Sequence, residues 1–457
     1  MRLLPMIALA GLTACAPAPQ AEVTKSYAVD GSAGARLPAM QGFTGSAPVG
    51  PAKSNAELAR DFLDLEFRME SGRALPSFSR FNDTITVAFM GDVPGSAAAE
   101  LSRLLGRFRA EAGLDIRMAD PGENPSVTID FQPRAQMQRV VPMAACFVVP
   151  RVQSFAEYKA KRNSADVDWT TITARDHVAI FIPSDTSPQE VRDCLHEELA
   201  QSIGPLNDLY HLPDSVFNDD NFNTVLTGFD MLMLRLHYAP EMRNGMNEAE
   251  AAKTLPALLA RLNPGGEGGG GQRLQIAPRS WVAAVEGAFG PRVSPGARAR
   301  SADQMLSIAM AQGWRDARLA FSLYAKGRAL TVSEPDAAIK AFAQAAKIYR
   351  SIPGAAVNAA HVEMQLAAIA LTSGQNDQAI AFADRAIPVV KRAENAALLA
   401  TLMLIKAEAL DNRGQGGEAQ ALRLDSLGWA RYGFGAEPQV RARMSEIAAL
   451  GARGNRS

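Results

Sequence analysis

The sequence predicts a mixed α+β domain followed by an all-helical region. Three observations carry this. Between about residues 51 and 263, short strand-like runs interleave with helical periodicities; from Ser301 onward alanine, leucine and other helix formers dominate; and between them lies Pro264 to Gly271, in which six of eight residues are glycine. A chain of 457 residues has room for about two or three domains, and 47% hydrophobic with 21% charged residues is ordinary for globular protein. Lys plus Arg number 47 against 48 for Asp plus Glu, a net charge of −1, so nothing draws nucleic acid or anionic lipid electrostatically and no nucleic-acid partner is expected.

The N-terminus reads as an export signal: Met1 and Arg2 give a basic start, Leu3 to Leu12 an apolar run too short to span a bilayer, and small residues follow. Leu12-Thr13-Ala14-Cys15 resembles a lipobox, which implies a signal peptide over residues 1–14 and a lipid on Cys15. Ala16 in place of an aspartate favours the outer membrane by similarity to enterobacterial sorting, with the folded part periplasmic. No later stretch is apolar enough to span, so anchoring would rest on the lipid. Residues 15–50, rich in Ala, Pro, Gly and Ser, read as a flexible tether.

In the domain at 51–263, Leu58, Phe62, Leu65 and Met69 set a helix over Ala56 to Met69, and Thr84 to Met90 alternates as a strand. A helix is expected at Ala97 to Ala112. Strands follow at Asp115 to Met118, Val127 to Phe131, Ala144 to Val149 and His177 to Ile182. The next helix starts with Ser187 as N-cap, Pro188 as first residue and Glu190 completing a capping box. Cys146 and Cys194, in an oxidising compartment, are expected to form a disulfide; two buried, inert thiols are the other reading.

That helix carries the informative segment. His196-Glu197 suggests a zinc-peptidase helix, but the residue four on is Ala200, so His196 has no second ligand on its face. Shifted by one, Glu197-Glu198-x-x-Gln201-x-x-Gly204-x-x-Asn207 has the spacing of the metzincin motif HExxHxxGxxH. Glu197 and Gln201 share one helical face, Gly204 permits a sharp turn, and Asn207 can swing back. Ser215-Val216-Phe217 resembles the Ser-x-Met turn beneath the metzincin metal, with Phe217 replacing methionine. The segment is therefore similar to a degenerate, zincin-like domain, and to an uncharacterised envelope family with Cys-x-x-Glu-Glu-x-x-Gln-x-x-Gly and then Ser-x-Phe-Asn-Asp, over roughly Ala56 to Met246.

The resemblance implies a general-base role for Glu198 if the site is active. Glu197, Gln201, Asn207 and Asp208 would be the metal ligands. Such oxygen donors make a poor zinc site and suit calcium or another hard cation; Asp214, Asp219 and Asp220 would add to it. A metal-free hydrogen-bond network bracing Asn207 is the favoured reading, with no cofactor. His177, His211, His237 and His361 supply no zinc set, although His196 and His211 with Glu197 or Asp208 make a third arrangement. No nucleophile-elbow pattern occurs.

Residues 264–300 read as linker and connector; no Gly-Lys-Ser/Thr follows the glycines, so they form no phosphate loop. In residues 301–457, Gly374 to Ala379 and Gly414 to Ala419 recur at a spacing of 40, each at a turn between helices, and Asp336 to Ala346 aligns with Gln378 to Ala386. These units resemble tetratricopeptide repeats, which implies a protein or peptide partner in a groove; a plain helical bundle is the alternative. The sequence thus favours a non-catalytic, lipid-anchored adaptor over a metal-dependent hydrolase using Glu198.

Overall fold

Short apolar runs, alternating in some strands and continuous in β5, place five strands in one sheet. β1 (Ile85–Gly91), β2 (Ile116–Met118), β3 (Val127–Gln132), β4 (Phe147–Pro150) and β5 (Val178–Pro183) follow the order β2-β1-β3-β5-β4. All neighbours pair in parallel except the edge strand β4, which runs antiparallel to β5 with Phe147 opposite Phe181. Every residue of β5 is buried, as a strand covered on both faces requires. Its period of two divides it: Val178, Ile180 and Ile182 enter the main core with Val127, Ile129 and Phe131 of β3, whereas Ala179 and Phe181 join Met137, Val149 and Phe155 on the other face. This is a computed structural model, and it describes residues 37–43, 45, 50–142, 144–269, 274–290 and 293–454. The expected signal peptide, Cys15 and most of the tether lie outside the described residues.

The helices of this region are α1 (Asn55–Glu66), α2 (Ala97–Arg107), the short α3 (Arg134–Met137) and α4 (Phe155–Lys161), then α5 (Pro188–Ile203), α6 (Gly228–His237) and α7 (Glu248–Leu262). Ser54 and Glu57 form a reciprocal capping box that starts α1. The helix stops at Glu66, short of the expected Met69, because Arg68 bridges to Ala74 around a turn at Gly72 (φ 81°). α2 runs on through a π-helical turn to Ala112 and ends at left-handed Gly113 (φ 70°).

The all-helical region begins earlier than Ser301. α8 (Arg279–Phe289) already contributes Trp281, Ala284 and Val285 to the core that it shares with α9 (Pro295–Ala311), α10 (Ala317–Leu330), α11 (Pro335–Ser351) and α12 (Ala356–Thr372). α13 (Asn376–Arg392), α14 (Ala396–Asn412), α15 (Gly416–Phe434) and α16 (Glu437–Gly454) complete it. Gly374 (φ 72°) and Gly414 (φ 79°) occupy the turns from α12 to α13 and from α14 to α15, where a left-handed residue ends a helix without Cβ strain. Small residues allow close pairing: Ala338, Ala345, Ala379, Ala383, Ala386 and Ala419 are fully buried. No helix among the described residues is long and apolar enough to cross a membrane.

The two regions are interlocked beyond the glycine linker. Tyr210 and Phe222, from the loop after α5, lie in the helical region's core rather than in the sheet's. At the other end of the array the Tyr432 hydroxyl donates to Glu100 Oε1 on α2 at 2.6 Å, and Gln189 at the start of α5 accepts from the Ala397 amide at 2.8 Å. Residues just before α1 pack there too, with Phe43 4.7 Å from Trp429.

Candidate functional site

α5 carries the motif and is fixed at both ends. Ser187 accepts from the Glu190 amide at 3.2 Å with Pro188 first in the helix, as the sequence indicates. The reciprocal half of the expected capping box is not made, because Arg134 and Thr186 donate to the Glu190 carboxylate. A disulfide joins Cys194 to Cys146 in the loop before β4, with their Cα atoms 6.0 Å apart, and so ties the sheet's antiparallel edge to the motif helix.

At its C-terminal end α5 meets a residue that sequence reasoning missed. The buried guanidinium of Arg175 donates to the carbonyls of Gln201 (3.0 Å), Ser202 (2.8 Å) and Gly204 (2.5 Å), the groups a helix end leaves without partners. Burial pulls its pKa below the usual arginine value, and nearby Tyr238 and Glu66 oppose that. Nothing in its local sequence, between predicted elements, marks it. Gly204 serves proximity rather than a left-handed turn: a Cβ there would lie 2.6 Å from Leu234 Cδ2 and 3.0 Å from the Ala200 carbonyl oxygen.

The loop from Gly204 to Thr227 is almost wholly buried as far as Asp220. Asp230, at the start of α6, organises its far end, accepting from Ser215, from the Val216 amide and from the Thr227 amide. Ser215 Oγ in turn accepts from the Phe217 amide at 2.9 Å, and the Phe217 ring is fully buried in the main core. The Phe217 carbonyl accepts from the Leu209 amide at 3.0 Å, which folds this turn back against the segment that leaves the motif.

The expected ligands part company here. Asn207 Nδ2 donates to the Asp64 carbonyl at 2.8 Å, so this side chain is committed to α1 and does not join the acidic group. Gln201 Nε2 lies 3.4 and 3.5 Å from the two Asp208 oxygens. Asp208 and Asp219 come together with Glu70, one oxygen from each lying within 4.8 Å of the others. Glu70 sits in the turn after α1 and carries no motif, so only the fold brings it in. Asp214 and Asp220 go elsewhere: Asp214 faces Lys53 at 4.0 Å, and Asp220 accepts from Asn218 (3.1 Å) and from Asn358 of α12 (3.0 Å).

Glu197 and Glu198 border this group. Burial raises both pKa values, and the like charges of Asp219 and Glu70 raise them further. The same two causes raise Asp208, and burial followed by Asp219 raises Glu70. Tyr210 donates its hydroxyl to Asp219 at 3.1 Å. Among the described residues none of these five carboxylates makes an ion pair.

The histidines are spread out. His196 accepts at Nδ1 from the Leu226 amide at 3.1 Å and is held neutral, its pKa pulled well below normal by burial and by Arg192, Arg107 and Arg103. His211 pairs with Asp61 (3.1 Å) and His237 with Glu66 (2.8 Å); His361 stacks on Phe222 and His177 lies beside Gln153. The two-histidine arrangement of His196 with His211 is therefore not assembled: each ring is held by a different partner, and neither enters the cluster of Glu70, Asp208 and Asp219.

Residues 55–257 match a family described as "Protein of unknown function (DUF2927)". The match contains α1, the sheet, α5 and the buried loop, and it stops within α7, before the glycine-rich linker and the helical array. No curated protein and no solved structure matches the chain.

Proposed function

We propose that this protein is a lipid-anchored adaptor of the bacterial cell envelope, in which a degenerate zincin-like domain mounts a tetratricopeptide-like array that binds a protein or peptide. The observation that carries the reading is the fate of the motif. The three positions that hold imidazoles in a metzincin are Glu197, Gln201 and Asn207, and Asn207 is turned onto the Asp64 carbonyl. The loop that would frame a catalytic cleft is instead core to both regions through Tyr210 and Phe222. Residues that follow an active-site helix thus serve as the joint on which the array is built. An antiparallel edge strand beside the motif helix supports the zincin-like descent of the sheet, and left-handed glycines recurring between paired helices support the repeat reading. Export and lipidation rest on the signal-like N-terminus and Cys15.

The experiment is twofold. Labelling cells with a clickable fatty acid should tag the wild-type chain and leave Cys15→Ala unlabelled and released from membranes; an unlabelled wild type overturns the anchor. Purified full chain, assayed on a fluorogenic peptide library with zinc, calcium or chelator, should match Glu198→Gln, both at background. Hydrolysis that Glu198→Gln abolishes would establish the hydrolase instead.

A further inference from the structure

We propose that the face of α15 around Gly428 and Trp429 is a peptide seat of the helical array, filled in cis by residues 37–43, and that a partner binds by laying an extended segment with an aromatic side chain in the same place; this rests on the array being a protein-binding module. Residues 37–43 form a strap that lies on α15 as a bound peptide would. The Gln41 amide donates to the Gly428 carbonyl at 3.1 Å, Gln41 Nε2 to Asp425 Oδ1 at 3.1 Å, and Arg431 to the Pro38 carbonyl at 2.5 Å. Phe43 is the anchor: its ring stands 4.7 Å from Trp429, 6.3 Å from Tyr432 and 5.8 Å from the guanidinium of Arg192. Gly428 is shaped to this segment. Glycine is disfavoured in mid-helix against alanine, and here a Cβ would lie 2.6 Å from Gln41 Cγ and 3.1 Å from the Ala39 carbonyl oxygen.

Two observations make this a seat for exchange rather than a fixed part of the core. The strap is held lightly: Pro38, Ala39, Met40 and Gly42 are exposed, and the Gly428 carbonyl, inside α15, already has its intrahelical donor, so release of the strap orphans no buried group there. What release uncovers is a tryptophan, a tyrosine and an arginine in one place, the residue types on which protein interfaces concentrate their energy. The strap also leaves the seat part-filled. Leu424, one turn before Gly428 on the same row of α15, is 58% exposed and Met40 is 45% exposed, apolar surface that a longer occupant would cover. Arg192, beside Phe43, keeps a buried Nη1 that lies 4.0 Å from Glu394 and has no hydrogen-bond partner among the described residues, and a phenyl ring brings no acceptor to it.

Fluorescence anisotropy of a labelled peptide of residues 37–43, titrated with the detergent-solubilised full chain, tests it. A segment of the same chain competes at an effective concentration on the order of 1 mM, so for a peptide that binds the open seat at about 100 µM the strap weakens apparent affinity about tenfold. Gln41→Ala/Phe43→Ala, which empties the seat, should therefore bind the peptide about tenfold tighter than wild type, and adding Gly428→Ala, which suits a helix but fills the seat, should abolish the gain. The same peptide carrying Phe43→Ala should not bind. Equal binding to wild type and the strap variant, no binding to the strap variant, or a gain that survives Gly428→Ala overturns the proposal. Wild-type dimers in sedimentation that Gly428→Ala separates would give the seat to a second copy's strap and overturn the cis arrangement. The probe is the chain's own segment, so a negative result strikes the seat alone and leaves the adaptor reading to the lipid and peptidase assays.

Discussion

Replacing Arg175 with alanine tests the claim that one buried guanidinium holds the end of the motif helix. The change removes donors from three carbonyls at once, those of Gln201, Ser202 and Gly204, in a place where water does not enter freely. A hydrogen bond to a charged group contributes about 1.5–3 kcal/mol net, so three would suggest as much as about 9 kcal/mol. Such bonds share one cation and do not add, and removal also relieves the cost of burying the charge. A buried carbonyl left without its donor costs about 1–3 kcal/mol, and with partial relaxation of the three at the helix end we expect about 4 kcal/mol. With a urea slope of about 3 kcal/mol per M, the midpoint followed by far-UV circular dichroism falls by about 1.3 M. Arg175→Lys should recover less than half of this, because one ammonium cannot span three carbonyls and loses the stacking on Trp169, now 5.3 Å from the guanidinium. A loss below about 1 kcal/mol, or a lysine variant as stable as wild type, would refute the capping argument.

Three further outcomes follow from the same structure. Reducing Cys146–Cys194, 48 residues apart, should cost about 4 kcal/mol by the chain-entropy estimate, read as a lower urea midpoint in dithiothreitol; an unchanged midpoint would show that the bond constrains nothing. Gly204→Ala should destabilise by about 1–3 kcal/mol because its Cβ would meet Leu234 and the Ala200 carbonyl, whereas Gly417→Ala, with open space around it, should be neutral or slightly stabilising; calorimetry distinguishes them. His361 is lowered to about 4 by burial and by Arg328, against an opposing hydrogen bond to the Phe222 backbone. Its unfolded pKa of about 6.5 is higher, so the unfolded chain binds more protons between these values, and stability present above about pH 6.5 is lost as pH falls towards 4. The slope is at most about 1.4 kcal/mol per pH unit, and His361→Gln should flatten it in urea titrations at pH 7, 6 and 5.

Local signals made the fold readable where a residue's role depends on near neighbours. Ser187-Pro188 announced α5, alternation announced β1, short β-like runs announced β3 and β5, and Gly374 and Gly414 announced the turns between helices. The failures have the opposite character. Glu190 has the spacing of a capping box, yet Arg134 arrives from a distant segment and takes its carboxylate. Met69 continues a helical period, but the turn at Gly72 pulls the chain out of α1. Trp281 stands in what reads as a connector and is buried because Tyr210 and Trp314 close on it from other segments.

The same division runs through the site. By itself the sequence determined which residues share the face of α5, that His196 lacks a second imidazole, and that oxygen donors stand where a zinc site needs nitrogen, because helical spacing and side-chain chemistry are local properties. Only the tertiary structure decided that Asn207 turns to Asp64 while Asp208 turns to Asp219, and that Glu70 completes the acidic group. It alone placed Arg175 under the helix end and made the loop a joint between two cores. The physical reason is that the direction of a loop side chain is set by whichever buried partner is left unsatisfied nearby, and those partners come from segments more than a hundred residues away, as Asp64 and Glu70 do.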